Sequence, residues 1–273
     1  MKNGIAFSGG GLKIFAHIGV LKALEELGIE FDYVSGTSSG SVIAAFYALG
    51  IKPNDMFKII SSRYKEIAKN ELKLKSLING SKIENAMRNM LIEEKITKTD
   101  MKDLDKKLAI VSCDTVSTKE VIFLSDDFNI KNTERTDYII GAEISKAIRA
   151  SMSFPGVLTP CDFEKYNLID GGTVNNLPTK VLKEMGAEKV LGVCFELNSY
   201  EPEDDILSVA LRAADIFSIL NMSVAKEYLN LLLELSIPDT GLLDIKDVNH
   251  VIDLGYNETM AQKELILREF KNY

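Results

Sequence analysis

The sequence has no tryptophan, only two histidines, three cysteines and six prolines in 273 residues. Each scarcity excludes something. Cys113, Cys161 and Cys194 are odd in number, widely spaced and without a C-x-x-C pair or a nearby His, so the ligand spacing of a structural zinc site is absent. They read as small buried hydrophobes in a reducing compartment, and neither a metal nor another cofactor is expected. No stretch has the ~20 apolar residues of a membrane span. The N-terminal "MKNGIAFSGGG" lacks the apolar core of about 7–15 residues that a signal peptide needs, so a cytoplasmic protein is expected. A net charge of −8 supplies no phosphate-attracting excess, which argues against nucleic acid as a partner. Repeats, low-complexity tracts and Pro/Gly/Ser linkers are also missing.

What is present is core material: 46% of the residues are hydrophobic, enough for one large α/β domain. Strand-like runs alternate with helical ones along the chain. "GIAF", "FDYV", "KLAIVSCDT", "EVIFLS", "NLID" and "KVLGVCFEL" read as strands, several of them continuous apolar runs of the buried parallel type. Helices are expected after the first glycine run, from Ser38 to Leu49, over about 53–70 and 81–92, near Ile144–Arg149, from Pro178, from Ile206 and at the C-terminal end. The long apolar stretch from Ile206 through "LNLLLEL" is broken by Arg212, Asp215, Lys226, Glu227 and Glu234 and reads as a core or interface helix. The alternation predicts a mostly parallel sheet with helices on both faces. One domain over residues 1–273 is expected, with a helical cap or insertion at about 53–100. From Phe57 to Met90, eight Lys/Arg stand against three Glu, a local +5 that leaves −13 for the rest. Such a segment reads as solvated helix faces, or as a cap resting on anionic lipid.

Two glycine-bearing turns carry the chemistry. The first, "FSGGGLKIFAHIG", fails as a dinucleotide fingerprint because the third glycine position is Ile14, and as a Walker loop because Ile14 follows Lys13. It suits an oxyanion loop, in which Gly9, Gly10 and Gly11 let successive N–H groups face one point beside a helix N-terminus. A plain strand-to-helix turn is the alternative.

The second turn is "YVSGTSSGSVIAAF". Gly36, Ser38 and Gly40 have the G-x-S-x-G spacing between a strand and a helix, the pattern of a nucleophile elbow. Gly36 and Gly40 are small where strand and helix pass closely, and the Ser39 N–H is placed to join an oxyanion hole. Ser38, Ser39 and Ser41 could instead cap the following helix. Two kinds of proton acceptor are available. His250 is late enough for the usual Ser–acid–His order but lies in a helical run, and His17 lies in the first helix. Asp170, at the end of "NLID" and followed by Gly171 and Gly172, is a strand-terminal carboxylate that burial would turn into a useful base.

Taken together, "GGGLK", "AHIGVLKALEELGI", "GTSSG", "AIRASMSFPGVLTP", "LIDGG" and "NNLP" occur in the order of the patatin-like phospholipase family, which this chain resembles over residues 4–50 and 140–197. The chain departs from the family pattern at Ser8, where some members have Asp, and at Ile14, where Gly is usual. The resemblance implies a three-layer α/β fold and hydrolysis of acyl-ester lipids, phospholipid or lysophospholipid, through a Ser38–Asp170 dyad and an acyl-enzyme. It places the oxyanion at N–H groups of Gly9, Gly10, Gly11 and Ser39, and it needs no histidine. The rival readings are a non-catalytic acyl-lipid-binding protein on the same fold and a serine esterase dependent on His250.

Overall fold

The computed structural model describes residues 2–71, 79–94, 96–197, 206–237 and 247–271. Its centre is a sheet ordered β5-β4-β3-β2-β1-β8-β9. The strands are β1 (Asn3–Phe7), β2 (Tyr33–Thr37), β3 (Lys107–Asp114), β4 (Glu120–Leu124), β5 (Thr136–Ile140), β8 (Lys189–Phe195) and β9 (Leu231–Leu235). Two more strands, β6 (Cys161–Phe163) and β7 (Tyr166–Asp170), form a hairpin, and β7 runs antiparallel to β3. The pairs around β1 are all parallel, while β3–β4 is antiparallel.

Side chains alternate across the strands with a period of two, and each face builds its own core. Ile5, Phe7, Val34, Leu108, Ile110, Leu191 and Val193 point to one side, and Ala6, Tyr33, Ala109, Val111, Val190 and Cys194 to the other. The first side is covered by α1 (Ile14–Glu26), α2 (Ser39–Ala48), α5 (Ile144–Ser151) and α8 (Val248–Ala261), with α9 (Lys263–Phe270) contributing Ile266 and Phe270. The second side is covered by α6 (Thr179–Met185) and α7 (Ile206–Glu227). The three-layer α/β arrangement expected from the sequence is therefore present. α3 (Pro53–Glu71) and α4 (Ser81–Glu93) lie between α2 and β3 in the chain, and their Met56, Ile59, Met90 and Leu91 are buried in the first core.

Three strands escape the sequence reading. β5 and β6 are short, and β9 lies within the apolar stretch that the sequence presents as one long helix. That helix stops at Glu227, and Leu231–Leu235 pair in parallel with β8. A run of leucines suits a buried edge strand as well as a helix, so periodicity alone does not separate them. The core-helix reading of α7 also fails on its outer side, where Ile216, Phe217, Ile219, Leu220 and Val224 are 44–68% exposed.

Sheet register positions the site. Thr37 pairs with Val111, and the next residue of β3, Ser112, pairs with Asp170. Ser38, which follows Thr37, therefore comes out beside Asp170 although 132 residues separate them. The turn after β1 emerges at the same carboxyl edge of the parallel strands, where open α/β sheets place their ligands.

Candidate active site

The elbow is built by close backbone approach. A Cβ on Gly36 would lie 2.4 Å from the Gly40 carbonyl oxygen, and one on Gly40 would lie 2.4 Å from the Phe7 carbonyl oxygen. Only glycine fits at either place, which explains the spacing in physical terms. Between them Ser38 has φ 53° and ψ −128°, a region that residues with a Cβ occupy only when the surroundings impose it.

The Ser38 hydroxyl donates to Asp170 Oδ2 at 2.6 Å. Ser38 is the N-cap residue of α2, yet its side chain makes no capping bond. Ser41 Oγ donates to the Ser38 carbonyl at 2.6 Å. Asp170 is 2% exposed. Its second oxygen, Oδ1, accepts the Gly172 N–H at 2.8 Å. Burial pushes its pKa up to about 6, against the opposing pull of the hydrogen bonds from Ser38 and Gly172.

The glycine loop lies alongside. The Gly9 N–H donates to Asn176 Oδ1 at 3.0 Å, and the Gly10 N–H donates to Ser39 Oγ at 3.2 Å. Among the described residues, the N–H groups of Gly11 and Ser39 have no such protein acceptor. Asn176 in turn donates through Nδ2 to Ser218 Oγ on α7, at 2.9 Å. Asn176 is the second Asn of "NNLP", and its amide ties the glycine loop to α7.

Neither histidine reaches the Ser38 hydroxyl. His17 is fully buried and its Nε2 donates to the Ser8 carbonyl at 3.0 Å. Its ring packs against Phe7 and Phe195, with centroids at 5.1 and 4.6 Å. Burial lowers its pKa to about 4, so it stays neutral near pH 7 and serves to support the loop. His250 is exposed in the first turn of α8, its N–H bonded to Asp247 Oδ1.

A cavity of about 200 Å³ opens over the pair, bounded by Gly9–Gly11, Ser38 and Asp170, and walled by Phe154, Phe195 and Met222. Lys13, Glu196 and Asp215 add charge to its lining. Burial pushes the Lys13 ammonium below the usual lysine range, offset in part by Asp215. Desolvation raises Asp215, offset by Lys13 and Arg212. Among the described residues, no group of three or more His, Cys, Asp or Glu is placed to hold a metal ion. No described helix is long and apolar enough to cross a membrane. The basic segment 57–90 runs across residues 72–78, including Lys73 and Lys75, which lie outside the described residues.

Residues 5–183, from β1 through the elbow and Asp170 into α6, match the family described as Patatin-like phospholipase. The chain belongs to the patatin-like phospholipase family. Its relatives include the human patatin-like phospholipase domain-containing protein 6, 29% identical over 198 residues, which cover 69% of this chain and 13% of that protein. A lysophospholipase nte1 of Aspergillus fumigatus is 30% identical over 191 residues, covering 70% of this chain and 12% of that protein. An uncharacterized NTE family protein of Mycobacterium tuberculosis is 28% identical over 185 residues, covering 66% of this chain and 28% of the relative. The chain thus spans under a third of the length of these relatives. The crystal structure of VipD from Legionella pneumophila shares the fold, with a TM-score of 0.60 and 15% identity over 97% of this chain and 67% of that one.

Proposed function

We propose that this chain is a lipid acyl hydrolase that cleaves fatty-acyl esters of phospholipids or lysophospholipids, with Ser38 as nucleophile and Asp170 as its base. The observation that carries the reading is the 2.6 Å hydrogen bond from a strained elbow serine to a buried carboxylate under the cavity. Membership of the family and a relative named lysophospholipase support the substrate class.

In this mechanism the ester carbonyl enters against Ser38 Oγ. As the C–O bond forms, the hydroxyl proton passes to Asp170 Oδ2. A carboxyl group with a pKa near 6 is ionised at neutral pH yet basic enough to accept that proton in the transition state. The negative charge on the carbonyl oxygen is met by backbone N–H groups of Gly11 and Ser39. Gly9 and Gly10, through their bonds to Asn176 and Ser39 Oγ, hold the loop in shape. The N-terminus of α2 adds a favourable field. Collapse of the tetrahedral intermediate releases the alcohol, which takes the proton from Asp170 and leaves an acyl-Ser38 ester. Water then repeats the attack, deprotonated by Asp170, and the fatty acid departs as Ser38 regains its proton. Peripheral contact with anionic lipid through the basic segment 57–90, from the cytoplasmic side, belongs to the same reading and is supported by the local charge of +5.

The test is hydrolysis of a panel of phospholipids, lysophospholipids and neutral acyl esters by the wild type, Ser38→Ala and His250→Ala. Fatty-acid release is expected from the wild type and His250→Ala and not from Ser38→Ala. Binding of these lipids without any release would favour the non-catalytic alternative.

A further inference from the structure

The backbone N–H of Ser38 has no place in either element it joins. The pairing of β2 with β3 ends at Thr37 and Val111, and α2 begins at Ser39. It donates instead to a side chain from elsewhere in the fold, Ser151 Oγ, at 2.8 Å. Ser151 is the last residue of α5 and is fully buried. Its own proton goes to the Val111 carbonyl at 2.6 Å, so the hydroxyl is held at both ends and its lone pair stays aimed at the elbow. Two residues further on, the Ser153 carbonyl accepts the backbone N–H of Asp170 at 3.0 Å. One short stretch, residues 151–153, therefore grips the backbones of both Ser38 and Asp170.

The stretch is itself fixed. Arg149, 3% exposed, donates to Ser153 Oγ, to the Thr159 carbonyl at 2.6 Å and to the Pro160 carbonyl at 3.1 Å. A buried guanidinium with these partners resists displacement, because moving it would leave a desolvated charge unpaired.

We infer that Ser151 is a positioning residue: by holding the Ser38 N–H against the Val111 carbonyl, it keeps the strained elbow in the conformation that points Ser38 Oγ at Asp170. This inference rests on the dyad reading above. Proton transfer between the two side chains depends on their separation, and a misplacement of about 1 Å costs on the order of 100-fold in rate. Without the Ser151 hydroxyl, the Ser38 N–H loses its acceptor and the unfavourable φ of Ser38 loses one of its restraints.

The experiment compares Ser151→Ala, Ser151→Cys and Ser151→Thr with the wild type, with kcat expressed per folded molecule from the circular-dichroism signal. Ser151→Ala is expected to lower kcat about 10- to 100-fold with KM within about twofold, and Ser151→Thr, which keeps the hydroxyl, to recover most of the loss. If Ser151→Ala does not fold, the near-isosteric Ser151→Cys, with only a weakly accepting sulfur, gives the same comparison. A kcat per folded molecule equal to wild type in the Ala or Cys variant overturns the inference, as does a Thr variant that folds but is no more active than Ala. Ser38→Ala is run alongside. If it retains activity, the dyad reading has failed; if it is inactive while Ser151→Ala is fully active, only the positioning role has failed.

Discussion

The hydroxyl of Ser38 bonds Asp170 across 132 residues while the helix that starts one residue later goes without its side-chain cap. A serine at an N-cap ordinarily stabilises its helix by about 1 kcal/mol through that bond. Here the group is turned to a buried carboxylate, and no side-chain cap bond forms at Ser38. Local stability is given up at the position where the proposed chemistry needs a free nucleophile.

The strain at Ser38 leads to a comparison of two inactive variants. Alanine keeps a Cβ at φ 53°, whereas glycine adopts that region readily. Ser38→Gly is expected to be more stable than Ser38→Ala by about 1–3 kcal/mol, read as the difference in urea midpoints. Equal midpoints would mean that the elbow is not strained.

Asp170 makes stability depend on pH. Its native pKa, about 6, lies above the ordinary aspartate value of 3.8, so the native state holds this proton more tightly than the unfolded chain does. The stability it contributes is full below about 3.8 and is lost as pH rises through about 6. Asp170→Asn removes the ionisation and can still accept from Gly172. The variant is expected to gain stability over wild type as pH rises through that window, by up to about 3 kcal/mol. Denaturation curves at pH 4.5 and pH 8 check it; an equal difference at both values would contradict the assignment of the raised pKa.

Asn176 stands close enough to Asp170 to tune it. A Cβ placed on Gly172 would meet Asp170 Oδ1 at 3.1 Å and Asn176 Oδ1 at 3.3 Å, so the two side chains converge. Asn176→Asp keeps an acceptor for the Gly9 N–H but adds a like charge, which disfavours ionisation of Asp170. The acid limb of the pH–rate profile is expected to move to higher pH, with the plateau rate changed less than the limb.

Gly40 tests the elbow's packing. Its absent Cβ would lie 2.4 Å from one backbone carbonyl oxygen and 2.5 Å from the next, those of Phe7 and Ser8. Neither carbonyl can yield without disturbing β1 and the glycine loop. Gly40→Ala is expected to destabilise the protein by more than about 3 kcal/mol, measured by thermal unfolding, whereas alanine at the open position Gly28 costs only what its positive φ demands.

Much of this arrangement was legible in the sequence. Buried parallel strands announce themselves as apolar runs, and Gly36, Gly40 and Gly171 mark places where backbones meet. The elbow serine and the strand-terminal carboxylate follow from local patterns. What was hidden depends on contacts across the sheet. Leu231–Leu235 is a strand because β8 offers it an edge, which no local periodicity reveals. Ser151, Ser153 and Asn176 acquire their partners only when β3, β7, α5 and α7 assemble, and a serine two residues after an arginine in a helix reads the same whether or not its hydroxyl supports an elbow. The exposed apolar residues of α7 show the same limit, since hydrophobicity in sequence does not say which face is covered.

The most direct measurement is fluorophosphonate labelling followed by mass mapping, with the labelling rate taken as a function of pH. A single adduct on Ser38 is expected in the wild type, with a rate that rises through an ionisation near pH 6, no adduct in Ser38→Ala and a rate at least about 100-fold lower in Asp170→Asn. An adduct on another residue, or an Asp170→Asn variant that labels at the wild-type rate, would contradict the Ser38–Asp170 dyad.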